Sequence, residues 1–477
     1  MGMFMFFFLV LSYLFCISAF GGNFYYPGIL NVYREGTYVA FPLQCNGRPK
    51  VFVYYPESKK YLSGYKLIKL LARNQFYFYY RPILNGYYEV SCKGKTANFS
   101  VISSLKTKCL GVSDWWHLGK TLSFPLNEHV VKLLASLGAG RVRIFLEPEG
   151  VKRYGWQHYQ DILLLLKSSN LEPILCIRYS SGYTYLEFKN FVKEALSRLK
   201  FVEFFEIGNE VDIKKSWPFS LKDYVSLIEE VVSSYPDKKI LVGVTASINT
   251  KWWKNFFTYL SPTAKKRLYG LSVHIYRKTR VDEAVLGLPR YWGRRSLFDD
   301  WMDFHENVVS AFSLYNKAIY VTEFGENTTA VRGYNLVTVT PLQQAEDFFK
   351  AALLSNAFNV ETFMNYMLID TPGLGMGLFF GKGKGFYPKP IINSFGFLSK
   401  ILSSGRLSLI FSSKYFLFFN KKYVIFYPRV PIEFHDSYLG GLVDMKEVYV
   451  YNFLGEKIEI HKGDVVKYPI IFERLAK

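Results

Sequence analysis

Two glutamates in this sequence stand at the ends of short apolar runs. The run Phe204-Phe205-Glu206-Ile207-Gly208-Asn209-Glu210-Val211-Asp212 delivers Glu210 directly after an asparagine. A second, Ile319-Tyr320-Val321-Thr322-Glu323-Phe324-Gly325, delivers Glu323, 113 residues later. A short apolar run that ends on a carboxyl reads as a buried strand carrying an acid to a pocket. Two carboxyls so placed suit a reaction in which one gives and takes a proton while the other attacks carbon or activates water, the pairing used to cleave a glycosidic bond.

Something must hold both strand ends on one rim. From Lys108 to about Leu402 the chain alternates buried runs with amphipathic ones. Eight strands are expected: Cys109–Ser113, Arg141–Leu146, Pro173–Arg178, Phe201–Ile207, Ile240–Thr245, Gly270–Ile275, Ile319–Glu323 and Glu361–Tyr366. Helical periodicity falls between them at Glu128–Leu137, Tyr159–Lys167, Leu186–Leu199, Leu221–Ser234 and Leu342–Asn356. Ser220 with Asp223, and Thr340-Pro341 with Gln343, are helix-start signals. Eight such units predict a (β/α)8 TIM barrel over residues 105–402, whose strand C-termini line the site. On that count Glu210 follows the fourth strand and Glu323 ends the seventh.

The flanks read differently. Residues 1–22 are an apolar segment closing on small residues, either a signal peptide or an uncleaved N-terminal membrane anchor. Both imply export and an extracellular or cell-surface location, with membrane contact only through this segment. Residues 23–104 show short alternating strands (Tyr38–Gln44, Val51–Tyr55, Gln75–Tyr80, Tyr87–Ser91, Ala97–Ile102) separated by Asn-Gly and Lys-Gly turns, the rhythm of a β-sandwich. Cys45 and Cys92 end two of these strands and resemble the inter-sheet pair of an immunoglobulin-like domain. That resemblance implies a disulfide in an exported chain; two buried thiols are the alternative. Residues 403–477 return to strands at Leu407–Phe411, Tyr415–Phe419, Tyr423–Tyr427, Glu447–Tyr451 and Val465–Phe472, and predict a C-terminal β-domain.

The chain has 477 residues, half of them apolar, with 59 basic against 39 acidic side chains and a net charge of +20. Such a balance suits an acidic glycan or an anionic cell surface as partner, but a solvated basic face is the reading the composition favours. No basic run interleaves with a nucleic-acid-binding motif, so no nucleic acid is expected. No His-x-x-x-His or Cys-x-x-Cys occurs, and neither a metal nor a cofactor is expected; Cys109 and Cys176 read as inert thiols on strands. The sequons Asn98-Phe99-Ser100 and Asn327-Thr328-Thr329 are present, and a glycan on the second would obstruct the rim beside Glu323. The glycine-rich pieces Gly373–Gly377 and Gly381–Gly385 read as a loop over the cleft.

The barrel resembles clan A of the retaining glycoside hydrolases, with families 5 and 39 among the similar ones. In that clan an Asn-Glu pair follows strand four and a second Glu closes strand seven. The resemblance implies that Glu210 is the acid/base, Glu323 the nucleophile and Asn209 the ligand of the sugar 2-hydroxyl. Glu210 would then need a raised pKa, supplied in part by the charge of Glu323. Arg143 on strand two resembles the arginine that holds the nucleophile ionised, and Tyr276 the tyrosine that touches it. His274 is balanced between site and core. The usual tryptophan after strand eight is replaced by Tyr366 or Phe363. Trp115, with Asp114, Trp116 and His117, Trp292, Arg178 and Tyr179 are weaker candidates for the subsite wall, and Glu326 is a lesser rival to Glu323. The resemblance implies a carbohydrate substrate. The competing function is a glycan-binding envelope protein on a glycosidase-like barrel without catalysis, which would have no need of two glutamates at these strand ends.

Overall fold

The computed structural model describes residues 31–475 apart from 36–38, 44–49, 56–57, 63–65, 71–74, 81–84, 94, 115–125, 278–280, 282–295, 330–337, 372, 382–386, 413 and 446. The amino-terminal alternation forms β1 (Val32–Arg34), β2 (Val39–Leu43), β3 (Lys50–Tyr55), β4 (Ser58–Leu62), β5 (Lys66–Leu70), β6 (Gln75–Tyr80), β7 (Gly86–Cys92) and β8 (Lys95–Ile102). They make two sheets, β1-β8-β7-β3-β4 and β2-β6-β5, with β1 parallel to β8 and the other pairings antiparallel. Val51, Val90, Phe99 and Val101 bury the first sheet's inner face, where Tyr88 stacks on Phe99 at 4.7 Å. Cys92 is buried at the end of β7 and is not among the free thiols, while Cys45 lies outside the described residues.

All eight expected barrel strands form: β9 (Thr107–Asp114), β10 (Ala139–Leu146), β11 (Glu172–Ile177), β12 (Phe204–Ile207), β13 (Lys239–Thr245), β14 (Gly270–Ile275), β15 (Ala318–Phe324) and β16 (Val360–Tyr366). Each runs parallel to the next and β16 pairs back onto β9, closing the barrel. Every residue of β10, β12 and β14 is buried, because one face packs the lumen and the other the helices. The surrounding helices are α1 (Glu128–Leu137), α2 (Pro148–Ser168), α3 (Tyr185–Arg198), α4 (Leu221–Ser234), α5 (Thr250–Tyr259), α6 (Pro262–Arg267), α7 (Leu297–Phe304), α8 (Pro341–Ala357) and α9 (Ile391–Leu402). Both expected start signals are capping boxes, Ser220 with Asp223 on α4 and Thr340 with Gln343 on α8. The expected helix at Tyr159–Lys167 is the second half of α2, which breaks at Gly155 (φ 78°).

The C-terminal strands β17 (Ser408–Phe411), β18 (Tyr415–Phe419), β19 (Tyr423–Pro428), β20 (Ile432–Glu433), β21 (Val448–Asn452), β22 (Val465–Val466) and β23 (Ile470–Arg474) form a five-stranded sheet β17-β18-β19-β23-β21 and a small β20-β22 ribbon. The single strand expected at Val465–Phe472 is therefore two. Pro469 lies between them and has no N–H to donate to a ladder. Helix α9 is apolar and buried almost all round because it packs against α8, β9 and β8 at once. Asn393 Nδ2 donates to Val101 O at 2.8 Å and Ser394 Oγ to Phe453 O at 3.1 Å, so one helix ties both β-units to the barrel. Among the described residues no helix is long and apolar enough to cross a membrane; the apolar segment at residues 1–22 lies outside them.

Candidate active site

The lumen is built in layers from alternate positions along the strands. Ile174, Phe204, Leu241, Tyr320 and Met364 plug its lower part, with the Arg141 guanidinium over the Phe204 and Tyr320 rings. Arg141 also pairs with Glu172 (2.6 Å) and Glu361 (2.7 Å) there. One layer higher, Arg143, Glu206 and Ser272 come from β10, β12 and β14, and above them the strand ends open.

Glu210 reaches this rim through a constrained turn. After β12, Gly208 adopts φ 85° and Glu210 itself φ 49°. A Cβ on Gly208 would fall 2.4 Å from Val211 Cγ1, so only glycine fits. A positive φ at a glutamate is a sparsely populated state held by its surroundings. Here Gly208 N donates to Ile177 O (2.9 Å) and Val211 N to Val244 O (3.2 Å). Asp212 adds a third tie, accepting from Ala246 N at 2.8 Å and Asn249 Nδ2 at 3.0 Å.

Glu323 arrives differently. Along β15, Tyr320 faces the lumen and Val321 the helices, yet Thr322 and Glu323 both face inward. The register shift against β14 between Val273 and His274, which leaves Glu323 opposite His274, supplies the irregularity that allows it. Both Glu323 oxygens are held: Arg143 Nη1 donates to Oε1, and Tyr276 OH donates to Oε2 at 2.6 Å. Burial and the adjacent carboxylate push the Tyr276 phenol well above its usual range, so it stays a neutral donor. Arg143 has no exposure; Nη2 also donates to Asn209 Oδ1 (2.8 Å) and approaches Cys176 Sγ (3.1 Å). Arg143 Nε donates to Glu206 Oε2 at 2.5 Å.

His274 joins the two glutamates. Its Nδ1 lies 3.5 Å from Glu210 Oε1 and 3.6 Å from Glu323 Oε2, close but not aligned for a hydrogen bond to either. Those two oxygens are thus no more than about 7 Å apart, a limit that admits the retaining separation and only the short end of the inverting one. Glu323 is the deeper of the two, its side chain 7% exposed against 25% for Glu210. The raised pKa expected for Glu210 is not found. Burial pushes it up, but His274, Arg143 and Arg178 together outweigh burial and hold it below the usual carboxylate range.

No protein-family profile and no curated protein matches the sequence. Among solved structures, the chain is similar to a family 39 glycoside hydrolase from the gut symbiont Bacteroides cellulosilyticus WH2. The TM-score is 0.66 and the identity 15%, over 93% of this chain and 99% of that one. The likeness is one of fold. A family 51 α-L-arabinofuranosidase from Bifidobacterium longum aligns with TM-score 0.46 and 11% identity, over 79% of this chain and 95% of that one. The (β/α)8 barrel expected from the clan A resemblance is the fold observed.

The remaining candidates divide. Tyr366 lies at the site, its ring 6.5 Å from that of Tyr276 and packed with Phe145, Met367 and Met376. Phe363 does not; it faces outward against Phe324 and Phe348. Arg178 lies near Glu210, its guanidinium 5.9 Å from the Phe145 ring. Tyr179 packs with Phe188, Trp217 and Phe219 instead of lining a wall. Asp114 is buried and accepts from Leu368 N at 3.0 Å. Trp115, Trp116, His117 and Trp292 lie outside the described residues. Glu326 is buried beyond the end of β15, where its backbone carbonyl accepts from Gln344 Nε2 at 2.9 Å. A glycan on Asn327 is excluded in the folded chain. That side chain is buried and its Oδ1 accepts from Gly375 N (2.6 Å), fastening the first glycine-rich piece beneath the loop after β15. Lys389 completes the fastening through Asp370 (2.7 Å), Thr328 (3.0 Å) and Gly375 O (2.8 Å). Among the described residues no group of three His, Cys, Asp or Glu side chains is arranged to hold a metal.

Sequence reasoning gave Glu206 no role. A charged residue two positions from a glycine inside an otherwise apolar strand was the available signal, since an inward-facing carboxylate in a barrel needs a partner.

Proposed function

We propose that the protein is a retaining glycoside hydrolase that cleaves β-glycosidic bonds of a polysaccharide or oligosaccharide by double displacement. The observation that carries this reading is the convergence of Glu210 and Glu323 on His274 Nδ1, with both oxygens of Glu323 held by Arg143 and Tyr276. In the first step the Glu210 carboxyl protonates the departing glycosidic oxygen while Glu323 attacks the anomeric carbon, forming a glycosyl ester. In the second, the Glu210 carboxylate takes a proton from water, which attacks the same carbon and releases Glu323. Asn209, oriented through Oδ1 by Arg143, keeps its amide nitrogen to donate to the sugar 2-hydroxyl. Tyr366, beside Tyr276 at the end of β16, is the aromatic side chain read as meeting the sugar ring. Because the Glu210 pKa is held low in the free protein, the acid step draws on the minority form that carries the proton on Glu210.

The basic surface suits a glycan bearing acidic groups or held at an anionic cell surface, and the apolar residues 1–22 support export to such a place. The amino-terminal sheets are read as an immunoglobulin-like sandwich with a Cys45–Cys92 bridge, which the strand orders β8-β7-β3-β4 and β2-β6-β5 support. The decisive experiment is hydrolysis of aryl β-glycosides by the full chain, by Glu210→Gln and by Glu323→Gln, with NMR of the first anomer released. Loss of turnover in both variants and a retained anomer are expected. Undiminished hydrolysis in either variant, or an inverted anomer, would overturn the mechanism.

A further inference from the structure

Behind the two site glutamates lies a third carboxylate that no sugar can reach. Glu206 has no exposed surface. Its Oε2 accepts from Arg143 Nε, and its Oε1 accepts from Ser272 Oγ and from Thr322 Oγ1 at 2.8 Å. The guanidinium is thereby divided: Nε faces inward to Glu206, Nη1 outward to Glu323, and Nη2 to Asn209. A buried cation held by one carboxylate alone would act on it with its whole charge, at short range and in a low dielectric.

We propose that Glu206 is a positioning residue that serves as the inner counter-ion of Arg143, fixing its fork and limiting the positive charge felt by Glu323 and Glu210. The inference rests on the glycosidase reading of those two glutamates. Two consequences follow for the chemistry. A nucleophile bound to an uncompensated guanidinium is stabilised as an anion and attacks less readily. An acid beside the same uncompensated charge loses its proton at lower pH, before it can deliver it. Glu206 opposes both. Against complete burial, which pushes it up, Arg143 first and then the Ser272 hydroxyl and His274 hold Glu206 below the usual carboxylate range, so its charge is present wherever the site works.

Other titratable groups share the neighbourhood and have to be kept in the account. Cys176 and Arg178 approach from β11 and the residue after it, and burial holds the Cys176 thiol up and neutral. His274 and Tyr276 come from β14 and its end, and Glu210 from the turn after β12. Tyr224 stands behind the strand on α4, also pushed up by burial and so uncharged. The charged or titratable groups around the site are therefore Arg143, Arg178, Glu206, Glu210, Glu323, Asp212 and His274.

The test is the isosteric Glu206→Gln, read by the pH profile of kcat/KM on an aryl glycoside, with folding checked by circular dichroism. Removing the counter-ion is expected to move both limbs of the profile to lower pH by roughly one unit and to lower kcat about tenfold, with KM within twofold. Glu206→Asp keeps the charge, so its limbs should stay at the wild-type positions even where kcat falls. A fall in kcat for Glu206→Gln with unmoved limbs would reduce Glu206 to a packing role and overturn the proposal. Should Glu206→Gln not fold, the wild-type chain carrying 13C at the glutamate side-chain carboxyls decides. Glu206 is expected to remain a carboxylate while the signals removed by Glu210→Gln and Glu323→Gln titrate, and a Glu206 that takes up a proton in that range overturns the idea. The same spectra need no turnover. If wild type hydrolyses nothing yet the Glu210 and Glu323 titrations still move down in Glu206→Gln, the glycosidase reading has failed and the counter-ion has not.

Discussion

In the proposed mechanism Glu323 attacks only along the lone pairs that Arg143 and Tyr276 leave open, so its two donors determine direction as well as charge. Replacing Tyr276 by Phe removes the 2.6 Å hydrogen bond to Oε2 and little volume. The expected result is a kcat lower by about tenfold to a hundredfold with KM little changed, measured on aryl glycosides. His274 acts on the other carboxyl. It is the foremost of the groups that hold Glu210 low, so His274→Asn lets the Glu210 pKa rise. An acid of higher pKa keeps its proton to higher pH, and the basic limb of kcat/KM should move upward; a limb that stays or moves downward would contradict the assignment. At this scale the sequence showed which side chains meet at the rim, because Asn209, Glu210 and Glu323 end apolar runs. The inward partners were hidden. Glu206 and Thr322 are legible only once the lumen is known, since nothing in a linear run says that Thr322 and Glu323 face the same way. The Glu210 pKa was misjudged for the same reason: the cations that surround it come from strands remote in sequence.

Each of the two strands that deliver Glu210 and Glu323 ends in a departure from regular geometry, and those departures aim the side chains. In β15 it is the register shift at Thr322; after β12 it is the pair of positive φ angles at Gly208 and Glu210. Gly208→Ala tests the second. Its Cβ meets Val211 in a backbone state that alanine resists, and about 1–3 kcal/mol of stability should be lost. Activity should fall further than stability, because relaxing the turn moves Glu210 away from His274. Thermal melting alongside kcat/KM separates the two effects, and a variant that melts lower yet keeps full turnover would show that the turn does not aim the acid. The regular parts of these elements were plain in the sequence. All eight barrel strands were found because two-sided burial makes each a continuous apolar run, and α4 and α8 because their capping boxes are local. Helices α5, α6, α7 and α9 were not singled out, and α6, at six residues, is too short to show a helical period. The one strand expected at Val465–Phe472 failed on a single residue, Pro469.

Across the whole molecule both β-units are tied to the barrel through α9, and the brace contains an acid out of place. Glu456, at the tight turn after β21, is buried against β7 of the amino-terminal unit, where a Cβ on Gly86 would lie 3.1 Å from its Oε1. Asn452 Nδ2 donates to Oε2 at 2.7 Å, but burial dominates and the carboxyl is pushed up to about 8. In the unfolded chain the same group titrates near 4.5. Below that value both states carry the proton, and Glu456 costs the fold nothing electrostatically. As pH rises from there towards 8 the unfolded state releases its proton first, so it binds fewer protons than the native state and stability falls; once the native carboxyl also ionises, the loss is complete. Glu456→Gln, neutral at every pH, removes that dependence while keeping an acceptor for Asn452. The two melting temperatures should coincide near pH 4 and separate by several degrees in favour of the variant at pH 8. Curves that stay parallel across the range would mean that Glu456 is ionised in the native junction. In that case the contact between the C-terminal turn and β7 would be a paired charge instead of a neutral seal.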